Sequence, residues 1–189
     1  FVLGRSTAVQ ELVMLISSGD DIGTAAAAET LCLAASNEQG RALLAPVIES
    51  GTLDALLDSP NARARSAAAS AIAKLGVASK ALDTNSSDTD RLLNTAMLLL
   101  KGAEDVEQQE GKKLDAAAAA EDQANSARVT TERAVEVIAA LITKSAVKDE
   151  IAHGSGRCTQ ALPRLCAACK DGRSAVAYGL AHIFASLTV

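Results

Sequence analysis

Small and apolar residues recur along this chain at helical spacing. Four segments place such residues at positions i, i+3, i+4 and i+7, which lie on one face of an α-helix. The first residues of successive copies are 41, 66 and 43 positions apart. The four copies are Ala27-Thr30-Leu31-Ala34, Ala68-Ala71-Ile72-Leu75, Ala134-Val137-Ile138-Leu141 and Ala177-Leu180-Ala181-Phe184. The pattern predicts an all-α protein built from repeated helices.

The spacing between the copies also predicts how the helices are arranged. A period of about 40 residues is typical of armadillo and HEAT repeats, in which each repeat buries its apolar face by stacking on its neighbours. A chain of 189 residues has room for about four such repeats. We expect a right-handed α-solenoid of the armadillo or HEAT type, whose extended surface binds other macromolecules.

The clearest single repeat runs from Val47 to Leu75. Gly51 permits a sharp turn between two helices, and Ser59-Pro60-Asn61 ends one helix and begins the next. An apolar stripe lies between these turns and consists of Leu53, Leu56 and Leu57. The elements predicted upstream are a helix from Ala8 to Ile16, a loop over residues 17–21 and a long helix ending at Ala35. The turn and the Ala-rich helix after it resemble the armadillo repeat.

A second copy of the repeat occupies residues 147–188, with predicted helices from Gln160 to Cys169 and from Ser174 to Leu187. The residues before it are polar, and Asp88 is predicted to cap a helix that runs through Leu100. Residues 103–128 hold seven acidic and three basic side chains, a composition typical of a solvated helix or a connecting segment. An acidic interaction segment is the alternative. The predicted domains are armadillo-type repeats over 1–102, an acidic Ala-rich insert or connecting helix over 103–128, and further repeats over 129–189.

Composition narrows the classes of partner. The formal net charge is -5, and no stripe of Lys and Arg interleaved with aromatic residues occurs, so we expect no nucleic-acid partner. The longest strongly apolar run, residues 96–100, is far shorter than the roughly 18 residues of a membrane span, so we expect no membrane partner. The chain begins at Phe1 and carries no signal peptide, so we expect a piece of a longer protein.

Side chains that could carry chemistry are sparse. His153 and His182 are the only histidines, and no catalytic triad can be argued from them, so we expect no enzyme and no catalytic residue. The pair Cys166 and Cys169, with Cys158 and His153 upstream, suggests a zinc site. The same two cysteines, however, fall on a predicted apolar stripe, which consists of Leu162, Leu165, Cys166 and Cys169. We therefore expect free thiols in an intracellular protein, with no metal and no cofactor.

The last predicted helix holds the candidate binding residues. Its predicted buried stripe consists of Ala177, Leu180, Ala181, Phe184 and Leu187. A polar stripe recurs beside it every four positions and consists of Ser174, Tyr178, His182 and Ser186. Tyrosine and histidine there could stack on a partner and hydrogen-bond its backbone. The alternative is a solvated helix face, because surface Tyr and His are common.

Longer stretches resemble the UCS family of myosin chaperones. The run Glu-Arg-Ala-Val-Glu-Val-Ile-Ala-Ala-Leu-Ile from Glu132 and the Val-Lys-Asp-Glu that begins at Val147 are similar to early repeats of its UCS domain. The run Tyr-Gly-Leu-Ala-His-Ile-Phe-Ala-Ser-Leu-Thr from Tyr178 resembles another helix of that domain. Residues 27–36 and 63–76 resemble the central armadillo domain of the same chaperones.

The resemblance implies a non-enzymatic chaperone or co-chaperone fragment in the cytoplasm. Its partner would be the myosin motor domain, whose folding or assembly the family assists. Animal members of the family recruit a heat-shock chaperone through an N-terminal TPR domain. No TPR pattern is present in these 189 residues, and most of the UCS domain would lie beyond Val189. A generic armadillo adaptor that scaffolds another complex is the competing function.

One feature of many armadillo proteins is missing. An asparagine just before the last core residue of the third helix clamps an extended peptide in nuclear-import receptors. The residues at the corresponding positions here are Leu33, Lys74, Ala140 and Ser186. Their identity argues against an import receptor, and Lys74 is the fifth candidate binding residue, after the four of the polar stripe.

Overall fold

The structure is a computed structural model, and it describes residues 2–79, 86–110, 117–168 and 174–188. Every regular element in these ranges is helical, which confirms the predicted all-α class. The chain divides into two compact units, Phe1–Ser86 and Ser87–Val189. Each unit is described by itself below.

The described residues of the first unit form five α-helices. They are α1 (Val2–Ser17), α2 (Asp21–Ala35), α3 (Glu38–Glu49), α4 (Thr52–Leu56) and α5 (Ala62–Ser79). The predicted upstream helix, loop and long helix correspond to α1, residues 18–20 and α2. The sequence interpretation did not assign α3, although Asn37 caps it: the Gly40 backbone N–H donates to Asn37 Oδ1 at 2.8 Å.

Local sequence explains where the helices of the first unit begin. Asp20 caps α2, because its carboxylate accepts the backbone N–H groups of Ile22 and Gly23. Asn61 caps α5 in the same way, at 3.0 Å from the Arg63 nitrogen. Gly51 adopts a φ of 68°, so the helix-to-helix turn predicted there is present and uses the left-handed region that favours glycine. The break predicted at residues 59–61 is also confirmed.

The core of the first unit lies around α2, which contacts α1, α3 and α5. Most of the buried residues of α2 and α5 are small, chiefly alanine. The predicted stripe Leu53, Leu56 and Leu57 is buried. Leu31 and Leu44 have no exposed surface, and burial of such a side chain contributes about 1.5–3 kcal/mol relative to an exposed position.

Helices α2 and α5 run side by side in the same direction. At their starts, the Asn61 side-chain amide donates to the Asp21 backbone carbonyl at 3.3 Å, across 40 residues of sequence. Further along, the Cys32 thiol near the end of α2 donates to Ser70 Oγ in the middle of α5 at 3.2 Å, across 38 residues. The first two copies of the helical template, which are 41 residues apart in sequence, are therefore neighbours in space.

In the second unit, the part of the chain that the structure describes forms five α-helices and one short 3-10 helix. They are α6 (Ser86–Glu110), which begins at the boundary, α7 (Ala117–Leu141), α8 (Ser145–His153), the 3-10 helix Gly156–Cys158, α9 (Ala161–Ala168) and α10 (Ser174–Leu187). Its largest fully buried side chains include Leu92, Leu93, Ile138, Ile151 and Leu165. Helix α10 contacts both α7 and α8.

The polar region of the second unit is more helical than its sequence suggests. Asp88 was predicted as an N-cap, but α6 begins two residues earlier and Asp88 lies in its first turn. That position still suits a carboxylate, because the N-terminus of a helix carries partial positive charge. Helix α6 extends past Leu100 to Glu110, and α7 begins at Ala117, so both long helices enter the acidic segment 103–128.

Candidate partner-binding surface

Helix α10 carries most of the candidate residues, and its contact with α7 fixes which face is buried. A Cβ placed on Gly179 would lie 2.8 Å from Val135 Cγ1 of α7, so the two helices approach closely only because residue 179 is glycine. The buried residues of α10 are Val176, Gly179, Leu180 and Ile183. These positions again follow the i, i+3, i+4, i+7 spacing.

The predicted buried stripe of α10 is therefore displaced by one residue. Leu180 is buried as predicted, but Ala177 and Ala181 are exposed, and Phe184 and Leu187 are only half-buried. The physical reason is side-chain size. Val176 and Ile183 remove much more apolar surface from water than two alanines do, so they occupy the buried face of the helix.

The polar stripe of α10 faces outward in part. Tyr178 is 80% exposed, which makes it one of the two most exposed large apolar residues of the described chain, with Ile22. His182 is exposed and Ser186 is half-buried. Ser174 begins the helix, and its side chain lies outside the described residues. Tyr178, His182 and the exposed Ala181 are hereafter called the α10 surface.

The α10 surface has the chemistry of a protein-binding patch. Its aromatic ring offers apolar area that loses little conformational entropy when it is covered, and its hydroxyl can bond a partner. The adjacent alanine adds no bulk, so a partner's backbone can approach the helix closely. The imidazole of His182 supplies a donor and an acceptor beside the ring.

Lys74 has a different setting in the first unit. It is half-buried on α5, and its Nζ donates to the Cys32 Sγ of α2 at 3.6 Å. Leu33, at the corresponding position of α2, is 70% exposed. The position that holds asparagine in many armadillo proteins thus carries an exposed leucine on one helix and a cation beside a thiol on the next.

The sequence interpretation missed an ion-pair cluster in the second unit. Arg157 donates through Nε and Nη2 to the two Glu150 carboxylate oxygens, at 3.0 and 2.9 Å. The same guanidinium donates to the backbone carbonyl and the carboxylate of Asp90, at 2.8 and 2.6 Å. The cluster joins the start of α6, the helix α8 and the 3-10 helix. The glycines at 154 and 156, both with positive φ, were the available signal of the turn that places Arg157.

The charges and the burial of this cluster shift the pKa values of Arg157 and of the adjacent Cys158. Desolvation lowers the pKa of Arg157, but its hydrogen bonds and charge attraction to Glu150 and Asp90 outweigh that effect and raise the pKa above its ordinary value. Next to it, Cys158 is buried, and desolvation together with the charge of Glu150 raises the pKa of its thiol to about 11. A thiol with a raised pKa is a weak nucleophile at neutral pH.

The cysteines that suggested zinc are not arranged as predicted. Cys166 is exposed, so its assignment to an apolar core stripe was wrong, whereas Leu165 is buried and Leu162 is half-buried. Cys169 lies outside the described residues. The His153 ring meets the backbone carbonyl of Asp149 at 2.7 Å through Nδ1. Within the described ranges, no group of three or more His, Cys, Asp or Glu could hold a metal ion.

Among the described helices, none combines the length and the apolarity that crossing a membrane requires. Comparison with protein-family models, with curated proteins and with solved structures found no significant match.

Proposed function

We propose that this chain is a non-enzymatic protein-binding module, an armadillo-type right-handed solenoid that acts as a chaperone fragment for the myosin motor domain. The observation that carries the proposal is the parallel pairing of α2 with α5. Residues 38 to 40 positions apart in sequence meet at the starts of the two helices through Asp21–Asn61 and further along them through Cys32–Ser70, as expected for stacking of successive repeats.

The second unit supports the same architecture. Gly179 of α10 lies against Val135 of α7, and the template copies on these two helices begin 43 residues apart. A stack of such repeats exposes a long helical surface instead of a closed pocket. Solenoid proteins use surfaces of that kind to bind other proteins.

The identity of the partner comes from sequence resemblance. The runs that begin at Glu132 and Tyr178 resemble the UCS domain of myosin chaperones, and the second of them contains the α10 surface. We place the binding of the motor domain on this surface. The chain would work in the cytoplasm, where motor domains fold, without a cofactor and without nucleic-acid or membrane partners.

Sedimentation velocity with a fluorescent motor domain tests the proposal. The motor domain is supplied either native or after mild heating, and the chain is added in excess. We expect co-sedimentation with the heated motor domain, weakened by Tyr178→Ala and His182→Ala. Leu98→Ala is the matched control, because Leu98 is another exposed apolar residue of the same unit, 53% exposed. Equal weakening by all three variants would contradict a site at the α10 surface.

The same experiment separates the chaperone from an adaptor. An adaptor recognises a folded partner, so it would bind the native motor domain or neither form.

A heat-shock chaperone added to the mixture tests the second partner that the resemblance implies, because a fragment without the recruiting domain is expected to leave it unbound. Binding of that chaperone by this chain would assign the recruitment to the present residues.

A further inference from the structure

Cys32 and Lys74 form a sulfur–amine pair between neighbouring helices of the first unit. The Lys74 Nζ lies 3.6 Å from Cys32 Sγ, and the two residues are 42 positions apart in sequence. Cys32 is 3% exposed, and its thiol donates to Ser70 Oγ at 3.2 Å. The sulfur therefore has a hydroxyl on one side and a primary amine on the other.

We propose that this pair is an oxidative modification site, at which Cys32 and Lys74 become joined by a covalent sulfur–nitrogen bond. The co-reactant is a hydroperoxide, with hydrogen peroxide as the simplest member of the class. The product is a sulfenamide that crosslinks α2 to α5. This inference does not depend on the proposed function.

The first step oxidises the sulfur. The Cys32 thiol releases its proton as its sulfur attacks one oxygen of hydrogen peroxide and the O–O bond breaks. The departing hydroxide takes the thiol proton and leaves as water. Cys32 is now a sulfenic acid, oxidised by two electrons, and the peroxide has been reduced by two electrons.

The second step forms the crosslink without further change in total oxidation. The neutral Lys74 amine attacks the sulfur of the sulfenic acid, the S–O bond breaks, and the departing hydroxide takes an amine proton as a second water. Sulfenic acids condense in the same way with thiols and with backbone nitrogen. Over both steps, one thiol, one amine and one peroxide give one sulfenamide and two waters.

Geometry selects this amine over further oxidation. The helices hold the amine beside the sulfur, which converts an encounter between two groups into a reaction within one molecule. The adjacent amine competes for the sulfenic acid with a second peroxide molecule, which would carry it to a sulfinic acid.

The crosslink changes the contact between α2 and α5. The crosslink fixes α5 against α2 and removes the charge of Lys74 from the surface of the first unit. Thiols reverse the reaction by attacking the sulfur and releasing the amine. The pair thus makes the contact between two neighbouring repeats responsive to oxidants.

Mass spectrometry of the full chain tests the proposal. The folded protein is treated with hydrogen peroxide, denatured without reductant, blocked with iodoacetamide and digested with trypsin. Trypsin does not cleave after a modified lysine, so the crosslink joins residues 6–41 to residues 66–80. We expect this joined peptide with the mass of its two parts less two hydrogen atoms, and its loss after treatment with dithiothreitol.

Variants and controls decide the assignment. Cys32→Ser and Lys74→Arg should each abolish the joined peptide, and Lys74→Arg should leave Cys32 as an oxidised acid. Cys158→Ala is the matched control, because it removes another buried thiol and should leave the crosslink intact. The same treatment in urea should give no crosslink, since only the folded helices hold the pair together.

Three results would overturn the proposal. Cys32 recovered as the iodoacetamide adduct, or as sulfinic acid without the joined peptide, would mean that the pair does not react. A joined peptide that forms equally in urea would mean that the fold does not select it. A joined peptide with one additional oxygen atom, which would be either an S–O–N bridge or a sulfinamide, would contradict a sulfenamide as the product.

Discussion

The side-chain amide of Asn61 donates to the backbone carbonyl of Asp21, at 3.3 Å. This bond joins the first turns of α2 and α5, and the same Asn61 side chain caps α5 through its oxygen at 3.0 Å from the Arg63 nitrogen. One residue therefore caps α5 and ties the start of that helix to the first turn of α2.

Replacement of Asn61 separates these two roles. Asn61→Ala removes both and should cost about 1–2 kcal/mol of unfolding free energy, the usual range for a lost N-cap. Asn61→Ser keeps a capping oxygen but loses the amide donor, so it should lose only about 0.5–1 kcal/mol. Urea unfolding followed by circular dichroism measures both, and equal losses would mean that the cap contributes nothing.

Leu180 and Tyr178 test the orientation of α10. Leu180 is 2% exposed and should lose about 2–5 kcal/mol of stability when changed to alanine, because a cavity remains in the core. Tyr178 is 80% exposed, so Tyr178→Ala should change the stability by no more than about 0.5 kcal/mol. Thermal unfolding of the two variants is the measurement. Similar losses of stability in the two variants would mean that the buried and exposed faces of α10 are assigned wrongly.

Gly179 and Val135 test the contact between α7 and α10. In the native background Gly179→Ala should be destabilising, since the new methyl group would lie 2.8 Å from a methyl group of the stiff Val135 side chain. In a Val135→Ala background the same change should be stabilising, by up to about 1 kcal/mol, because alanine favours a helix more than glycine does. A double-mutant cycle by urea unfolding measures this reversal of sign, and its absence would contradict the close approach.

Cys158 makes the stability depend on alkaline pH. Its pKa is raised from 9.0 to about 11 in the folded protein. Below 9.0 the thiol is neutral in both states, but between 9.0 and about 11 the unfolded chain loses this proton and the folded chain keeps it. Stability should therefore fall with rising pH across this window.

Cys158→Ala isolates that dependence. The variant lacks the thiol, so its unfolding free energy should fall less steeply between pH 9.0 and about 11 than that of the native protein. Other groups titrate in the same range, and the comparison of the two proteins removes their contribution. Parallel pH profiles would mean that the burial of Cys158 does not perturb its ionisation.

The sequence predicted helices and turns where local chemistry decides them. Gly51, Asn61 and the alanine-rich copies identified α4 and α5 because turn geometry, capping and periodicity are all local. The register of α10 was missed because alanine is nearly indifferent to burial. Ala177 and Ala181 complete a helical pattern by size and polarity, but burial of Val176 and Ile183 contributes more free energy to folding.

The candidate surface was predictable only in part. Four-residue spacing is enough to place Tyr178 and His182 on one side of a helix, and both are exposed. The setting of Lys74 depends on Cys32, and that of Arg157 depends on Asp90, which is 67 residues away. Pairs formed by packing of separate helices leave no periodic signal in a single sequence.

The most direct test of the account is heat-induced aggregation of a purified myosin motor domain, followed by light scattering with and without this chain. We expect the chain to suppress the scattering, Tyr178→Ala and His182→Ala to weaken the suppression, and Leu98→Ala to leave it unchanged. Scattering that the native chain does not reduce would contradict a chaperone whose working surface is on α10. Equal suppression of the scattering by all three variants would contradict it as well.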